Sequence, residues 1–524
     1  MIYIKLNSLK VTEGADCVPE KACLDGTRLL ALNSLRTWIH GGGDRADARL
    51  VLLLGQAGVG KSAIAHSIAY EFKKAGRLGG SFCFAKDRGT SNFFRTIARG
   101  LADVDITYGS ALASAMTSAN STTVSHSTQI TELLLEPLQS LALLGPLVIV
   151  VDALDECAYE RDEIVGVLAK NIHRFPSNIR FLVTSRPSEA EILRRYDWVK
   201  VYDLRDEPAT QQDILAFVKD QLREPGSATR LKGFRSKDLE AIATSAENLF
   251  QYAAVVCREI LGARENYEAP TKVFQRLMGP ARSGLDSLYT LILTNAYGIH
   301  SSLERMETFR SVLGWILVAR ERLTYQALID FGACSLIAED ADESSTSSDA
   351  SSEYQSEEGF DTVSSILSPL GALLSGTQDP FATVYTLHSS FRDFLLDETR
   401  SGPFYIGPET KHHALLALAS LKIMDRDLRF NIANLESSYV ANENIPDLPT
   451  RLEACISKAL RYACRNWFRH LKDSGLDENQ FGAVSLISVI AGEKFLFWLE
   501  ILGLLKCTYR GHLAFEFLTG WFKV

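Results

Sequence analysis

Eight consecutive residues, Gly55, Gln56, Ala57, Gly58, Val59, Gly60, Lys61 and Ser62, carry the most specific chemistry in the protein. They match GxxxxGK[ST], a spacing in which glycines let backbone N–H groups turn inward around phosphate oxygens. The lysine of such a loop, here Lys61, reaches the β- and γ-phosphates, and the hydroxyl, here Ser62, ligates magnesium. The expected ligands are therefore Mg2+ and ATP or GTP. A second run, the apolar Leu147 to Val151, ends in Asp152, Ala153, Leu154, Asp155 and Glu156. A carboxylate at the end of a buried strand holds magnesium, usually through water, which is the role expected of Asp152. Ala153 is small enough to turn without crowding the phosphates, and Asp155 and Glu156 are candidates to orient or deprotonate an attacking water. A third run, Arg180 to Pro187, brings Arg186 to another strand end. Arg186 either contacts the γ-phosphate or lies exposed in a loop, and the sequence leaves these readings even.

A phosphate loop works only between a buried strand and a helix, and both patterns flank it. Leu50 to Leu54 is a short apolar run ended by glycine, and Lys61 to Lys74 places Ile64, Ile68 and Phe72 on one helical face. Strand signals recur at 81–84, 147–151, 180–184 and 199–202, with helical patterns at 92–101 and 128–144 between them. This alternation predicts an α/β P-loop NTPase fold, a doubly wound parallel sheet, over residues 49–205 after a lead segment 1–48. Helical patterns then predict a helical domain over 206–280. A winged-helix-like domain follows over 281–400, and an all-α region over 401–524.

The chain has 524 residues, enough for two to four domains, with an ordinary 46% hydrophobic and 23% charged content. Nine cysteines include no CxxC and no Cys/His pair at metal-site spacing. With no secretion pattern at the N-terminus, they predict reduced thiols and a cytoplasmic location. The longest apolar charge-free runs, 141–151 and 481–492, fall short of the ~20 residues that span a bilayer. Net charge is −9, and nine acidic residues with no basic one lie between Glu339 and Asp361, so the remainder is neutral. That balance gives nucleic-acid binding no support, and the Ser-rich acidic stretch 339–361 predicts a disordered insertion. Lys458, Arg461, Arg465, Arg469 and Lys472 recur at helical spacing opposite Leu460, Cys464, Trp467 and Leu471. They predict a solvated basic face on a buried helix rather than a nucleic-acid surface.

Asp152 to Glu156 forms DxxDE with a small residue after the first Asp, and it joins this P-loop and a Thr184-Ser185-Arg186-Pro187 strand end. Together they resemble the NACHT class of STAND P-loop NTPases, and more narrowly the fungal NLR-like NACHT proteins. Cys23 to Arg28, Leu285 to Tyr289, Phe309 to Ile316, Leu387 to Leu395, Leu428 to Asn431 and Leu460 to Cys464 extend the likeness along most of the sequence. The resemblance implies a signalling switch of the kind used in innate immunity or heterokaryon incompatibility. Such a switch rests with diphosphate, self-associates with triphosphate, hydrolyses slowly and relies on protein partners for effector or sensor functions. It also implies that His388 reaches the diphosphate and that Thr27 and Arg28 lie near the base. Asn248 stands where the family commonly has glycine before Leu-Phe; Asn tolerates a left-handed backbone. Fungal relatives usually carry an effector domain before the NTPase and a repeat array after it. With neither legible here, the resemblance implies a minimal form, a truncated product or a partner that relies on another chain for sensing. A turnover-driven ATPase or motor and a nucleotide-stabilised scaffold remain the competing readings. The lack of an NKxD motif leans the base towards ATP.

Overall fold

Three apolar runs, opening at Leu50, Leu147 and Ile179, become the central strands because each can bury both faces, as inner parallel strands must. Two more mixed runs, opening at Leu78 and Val199, form the edges. The five strands are β1 (Leu50–Leu54), β2 (Leu78–Cys83), β3 (Leu147–Asp152), β4 (Ile179–Ser185) and β5 (Val199–Asp203). In the computed structural model they pair in the order β2-β3-β4-β1-β5, every pair parallel. The structure describes residues 2–9, 11–85, 90–116, 125–157, 160–223, 231–263, 268–278, 284–298, 302–336, 363–437, 439–477 and 484–522. The acidic stretch 339–361 lies outside the described residues.

Alternation along the strands builds two cores, one on each face of the sheet. Leu50, Leu52 and Leu54 point into one, with Phe82, Phe94, Ile149 and Leu101. Val51 and Leu53 point into the other, with Trp38, Ile64, Ile68, Val148 and Leu182. The α/β P-loop architecture followed by helical regions is therefore the observed fold, with all five expected strands present and β2 starting at Leu78, three residues before its expected start.

One expected helix is corrected. Residues 128–144 form a short helix His126–Gln129, a π-helical turn Ile130–Leu135 and a 3-10 turn Pro137–Ser140. Pro137 has no N–H and a locked φ, so it stops the helix, and Glu136 N–H reaches back to Thr131 O at 3.0 Å. A helix not anticipated, Ile106–Ala115, opens where Asp105 accepts from the N–H groups of Thr107 and Tyr108.

The contacts divide the protein into two units, Met1–Gly284 and Leu285–Val524. The first includes the helices Thr210–Gln221, Ser236–Ser245 and Phe250–Gly262. The second begins with Leu285–Tyr297, Leu303–Val318 and Tyr325–Leu336, followed by an antiparallel pair, β6 (Leu374–Ser375) and β7 (Tyr385–Thr386). Helix Ser389–Leu395 comes next, and the rest is helical, with Glu409–Asp427 packed along Lys458–Ser474. Among the described residues no helix is long and apolar enough to cross a membrane.

The basic stripe of Lys458–Ser474 is less solvated than the sequence suggests. Arg461, Arg465 and Arg469 are half-buried. Arg461 pairs with Glu453 at 2.7 Å and Arg465 with Glu321 at 2.6 Å. A pair of imidazoles joins this helix to Glu409–Asp427, with His470 buried and His413 half-buried. His413 Nδ1 lies 2.8 Å from His470 Nδ1, and His470 Nε2 lies 2.6 Å from the Tyr462 hydroxyl. Burial pushes both histidines down, His413 to about 4, helped by the nearby charges of Arg320 and Arg392. A base whose folded pKa is depressed contributes stability above its ordinary value of 6.5 and loses it as pH falls towards 4. The thermal midpoint should therefore fall between pH 6.5 and 4 more steeply in the wild type than in His413→Gln. Equal slopes in a pH series of melting curves would count against it.

Candidate functional site

The C-terminal ends of β1, β4 and β3 stand side by side, and the loops leaving them build the site. After Leu54 the backbone winds through Gly55–Gly60 into helix Lys61–Lys74. Gly58 and Gly60 sit at φ 87° and 95°, the left-handed region that a side chain resists. At Gly55 the constraint is space, because an added Cβ would lie 2.6 Å from Val59 Cγ2. Gly55, Gly58 and Val59 are buried, Gln56 is exposed, and Ala57 and Gly60 are half-buried. Ser62 is exposed in the first helical turn. Lys61 curls over the loop, its Nζ donating to Gly55 O at 2.9 Å and Gln56 O at 3.0 Å. Burial lowers its pKa, and Asp155 and Asp152 pull it back up.

Asp152 is buried at the end of β3. Thr184, one strand over on β4, donates its hydroxyl to Asp152 Oδ1 at 2.6 Å and accepts the Ala153 N–H at 2.8 Å. A threonine therefore fixes the carboxylate in place. Ala153 is left-handed at φ 55° and turns the backbone into Leu154–Glu156. Asp155 Oδ2 there pairs with Arg186 Nε at 2.8 Å. Its Oδ1 is buried without a hydrogen-bond partner among the described residues. A buried carboxylate oxygen with spare acceptor capacity, beside a loop of inward-turned peptides, fits a site meant for hydrated magnesium and phosphate. Glu156 is half-buried in the same turn. The structure thus gathers Lys61, Asp152, Asp155, Glu156 and Arg186, whose charges act on one another. Arg186, left open by the sequence, is folded back onto Asp155.

The loop is also held from behind. Arg28 is buried, itself left-handed at φ 55°, and donates from Nη2 to Val59 O at 2.6 Å and from Nη1 to Thr210 Oγ1 at 2.8 Å. Its backbone N–H donates to Asp213 at 3.0 Å, and its guanidinium lies 5.0 Å from the Phe250 ring centroid. The Gln251 N–H donates to Gly58 O at 3.0 Å, so the first turn of Phe250–Gly262 rests on the loop backbone. Asn248 takes φ 67°, a left-handed backbone that asparagine tolerates. Thr27 is buried, its hydroxyl donating to Leu24 O at 2.7 Å.

His388 lies in the second unit. It caps helix Ser389–Leu395, with Nδ1 accepting the Ser390 N–H at 3.1 Å and standing 2.7 Å from Ser390 Oγ. Ser390 Oγ in turn lies 2.8 Å from the Tyr289 hydroxyl. With Nδ1 as an acceptor, the neutral ring carries its proton on Nε2. Thr184, Thr210, Asp213 and Gln251 escape sequence reasoning. Only Thr184 leaves a trace, as the residue two places before Arg186.

A parallel sheet with this loop and this acidic strand end defines a P-loop NTPase-like α/β domain. More narrowly, residues 26–186 match the family described as Nephrocystin 3, N-terminal, a NACHT-like region. The match runs through β1 to β4 and ends at Arg186, which agrees with the NACHT resemblance of the motifs. No curated protein matches the sequence.

Arg28→Met should destabilise the first unit by about 2–3 kcal/mol, since it strips hydrogen bonds to a charged group from two buried acceptors. Urea denaturation of the two proteins measures it. A difference under about 0.5 kcal/mol would mean that the loop is held without Arg28.

Proposed function

We propose that the protein is a NACHT/STAND-type switch that binds magnesium and a nucleoside triphosphate, ATP by preference, and hydrolyses it slowly. The observation that carries this reading is the convergence of Lys61, Asp152, Asp155 and Arg186 on one P-loop. The N–H groups of Gly58 to Ser62 would receive the β-phosphate, and Lys61 Nζ would exchange two loop carbonyls for phosphate oxygens. Ser62 and Asp152 would hold magnesium, which, when bound, neutralises charge on the β- and γ-oxygens.

The Arg186–Asp155 ion pair gives the switch a physical form. A γ-phosphate attracts the guanidinium away from Asp155 and so frees that carboxylate, with Glu156, to hold and deprotonate water. With diphosphate there is nothing to draw Arg186 off, and the pair stays closed. Turnover that must first break an ion pair is slow, which suits a timer better than a motor. Self-association in the triphosphate state, and protein partners supplying effector or sensor functions, follow from the NACHT resemblance. So does a diphosphate contact from His388.

Lys61→Ala should abolish binding of a labelled triphosphate, or weaken it by more than a hundredfold; wild-type affinity in a titration would put the site elsewhere. Glu156→Gln should keep that affinity while single-turnover hydrolysis slows about a hundredfold. Fast steady-state turnover in the wild type would favour the ATPase reading over the switch. His388→Ala should weaken diphosphate binding about tenfold relative to triphosphate, the worth of one charge-assisted hydrogen bond. An unchanged ratio, with unchanged sedimentation in each nucleotide, would leave His388 as a helix cap only.

A further inference from the structure

Cys17, His66 and Cys83 are far apart in the sequence, and the fold brings them together. Cys17 comes from the segment before β1, His66 from helix Lys61–Lys74, and Cys83 ends β2. The two sulfurs stand 3.5 Å apart, and Cys83 Sγ lies 3.9 Å from His66 Nε2. All three donor atoms lie within 4.8 Å of one another. Two thiolates ~2.3 Å from one tetrahedral ion would stand about 3.8 Å apart. The observed spacing is close to that and far from the ~2.05 Å of a disulfide.

The donors are held by contacts outside the cluster. Cys17 N–H donates to Ser81 Oγ at 3.1 Å, and Cys83 N–H to Ala15 O at 2.6 Å. Val18 lies against His66 Nδ1 with its carbonyl at 3.1 Å and its N–H at 2.7 Å. When Nδ1 carries the proton and donates to that carbonyl, Nε2 turns its lone pair towards the sulfurs. The other tautomer accepts the Val18 N–H and protonates Nε2. An ion selects the first, the carbonyl-braced imidazole usual behind metal ligands. His66 is buried while both cysteines are half-buried, so the cluster keeps a side open to solvent.

We infer that Cys17, His66 and Cys83 bind one zinc ion, with a fourth position left for water, and so clasp the segment preceding β1 onto the sheet. Two thiolates and one imidazole suit zinc better than the hard cations expected at the phosphate loop. The three ligands come from three separate elements, so the ion also ties those elements together. Binding releases the two thiol protons and therefore strengthens with pH. Asp152 Oδ2 lies 3.9 Å from His66 Nε2, which sets the zinc site behind the carboxylate expected to hold magnesium.

The test uses the full-length protein, purified under reductant and without chelator, then loaded with zinc and dialysed. Elemental analysis should find about one zinc per molecule in the wild type and in Cys257→Ser, a thiol buried elsewhere. Cys17→Ser should hold at least tenfold less, and Cys17→Ser/Cys83→Ser none. Cys17→Ser lies outside the sheet and preserves the fold even where Cys83→Ser does not, and circular dichroism checks this. Cobalt(II) should give a thiolate charge-transfer band in the wild type and in Cys257→Ser, and none in Cys17→Ser/Cys83→Ser. Zinc no higher in the wild type than in Cys17→Ser, with no cobalt band, would overturn the inference. So would a protein that takes up no metal when reduced and merely loses two free thiols on oxidation. The inference does not depend on the nucleotide reading, because a failed Lys61→Ala experiment leaves these outcomes unchanged.

Discussion

The Lys61 ammonium is the charge around which the first unit is arranged. Buried in a protein, an unpaired cation costs several kcal/mol, so everything near it must supply negative charge or dipole. Two loop carbonyls meet it directly, and Asp152 and Asp155 meet it at longer range. Those carboxylates then need partners of their own, which Thr184 and Arg186 provide. The order β3-β4-β1 makes this possible, since it places the acidic strand end, the threonine strand and the phosphate loop next to one another. A lysine favoured only by protein groups would be fixed; this one sits where a stronger anion would draw it.

The fold was largely legible because the three central strands are short apolar runs separated by helical periodicity, and both signals are local. Local signals failed where a single residue outweighs a pattern, as Pro137 does inside an otherwise helical stretch. The phosphate loop was legible because its chemistry is written in eight contiguous residues. The carboxylates of Asp152 to Glu156 were legible for the same reason. Arg28 was suggested by family resemblance and not by its own surroundings in the sequence. Thr210 and Asp213, which hold it, lie more than 180 residues away and carry no mark. The Cys17, His66 and Cys83 cluster was missed on the same ground: metal motifs are recognised by short spacings, whereas these ligands are assembled by strand order and an N-terminal segment.

Two kinds of restraint meet on the phosphate loop. Glycine torsions make it able to turn, and hydrogen bonds from the lead segment and from the helix after Asn248 fix how it turns. Arg28 takes the Val59 carbonyl, and Gln251 takes the Gly58 carbonyl. Both are peptide oxygens of the loop itself, so any rotation of those peptide planes is felt at once in two neighbouring elements.

The bond from Gln251 has a property the one from Arg28 lacks. It runs from a backbone N–H to a backbone carbonyl, so it is indifferent to the residue type at position 251. Over evolutionary drift this coupling between loop and helix can persist while the residue identity wanders. Its register is set by the left-handed step at Asn248 and by the Phe250 ring that lies against Gly60. The one common residue that would sever it is proline, which has no hydrogen to give.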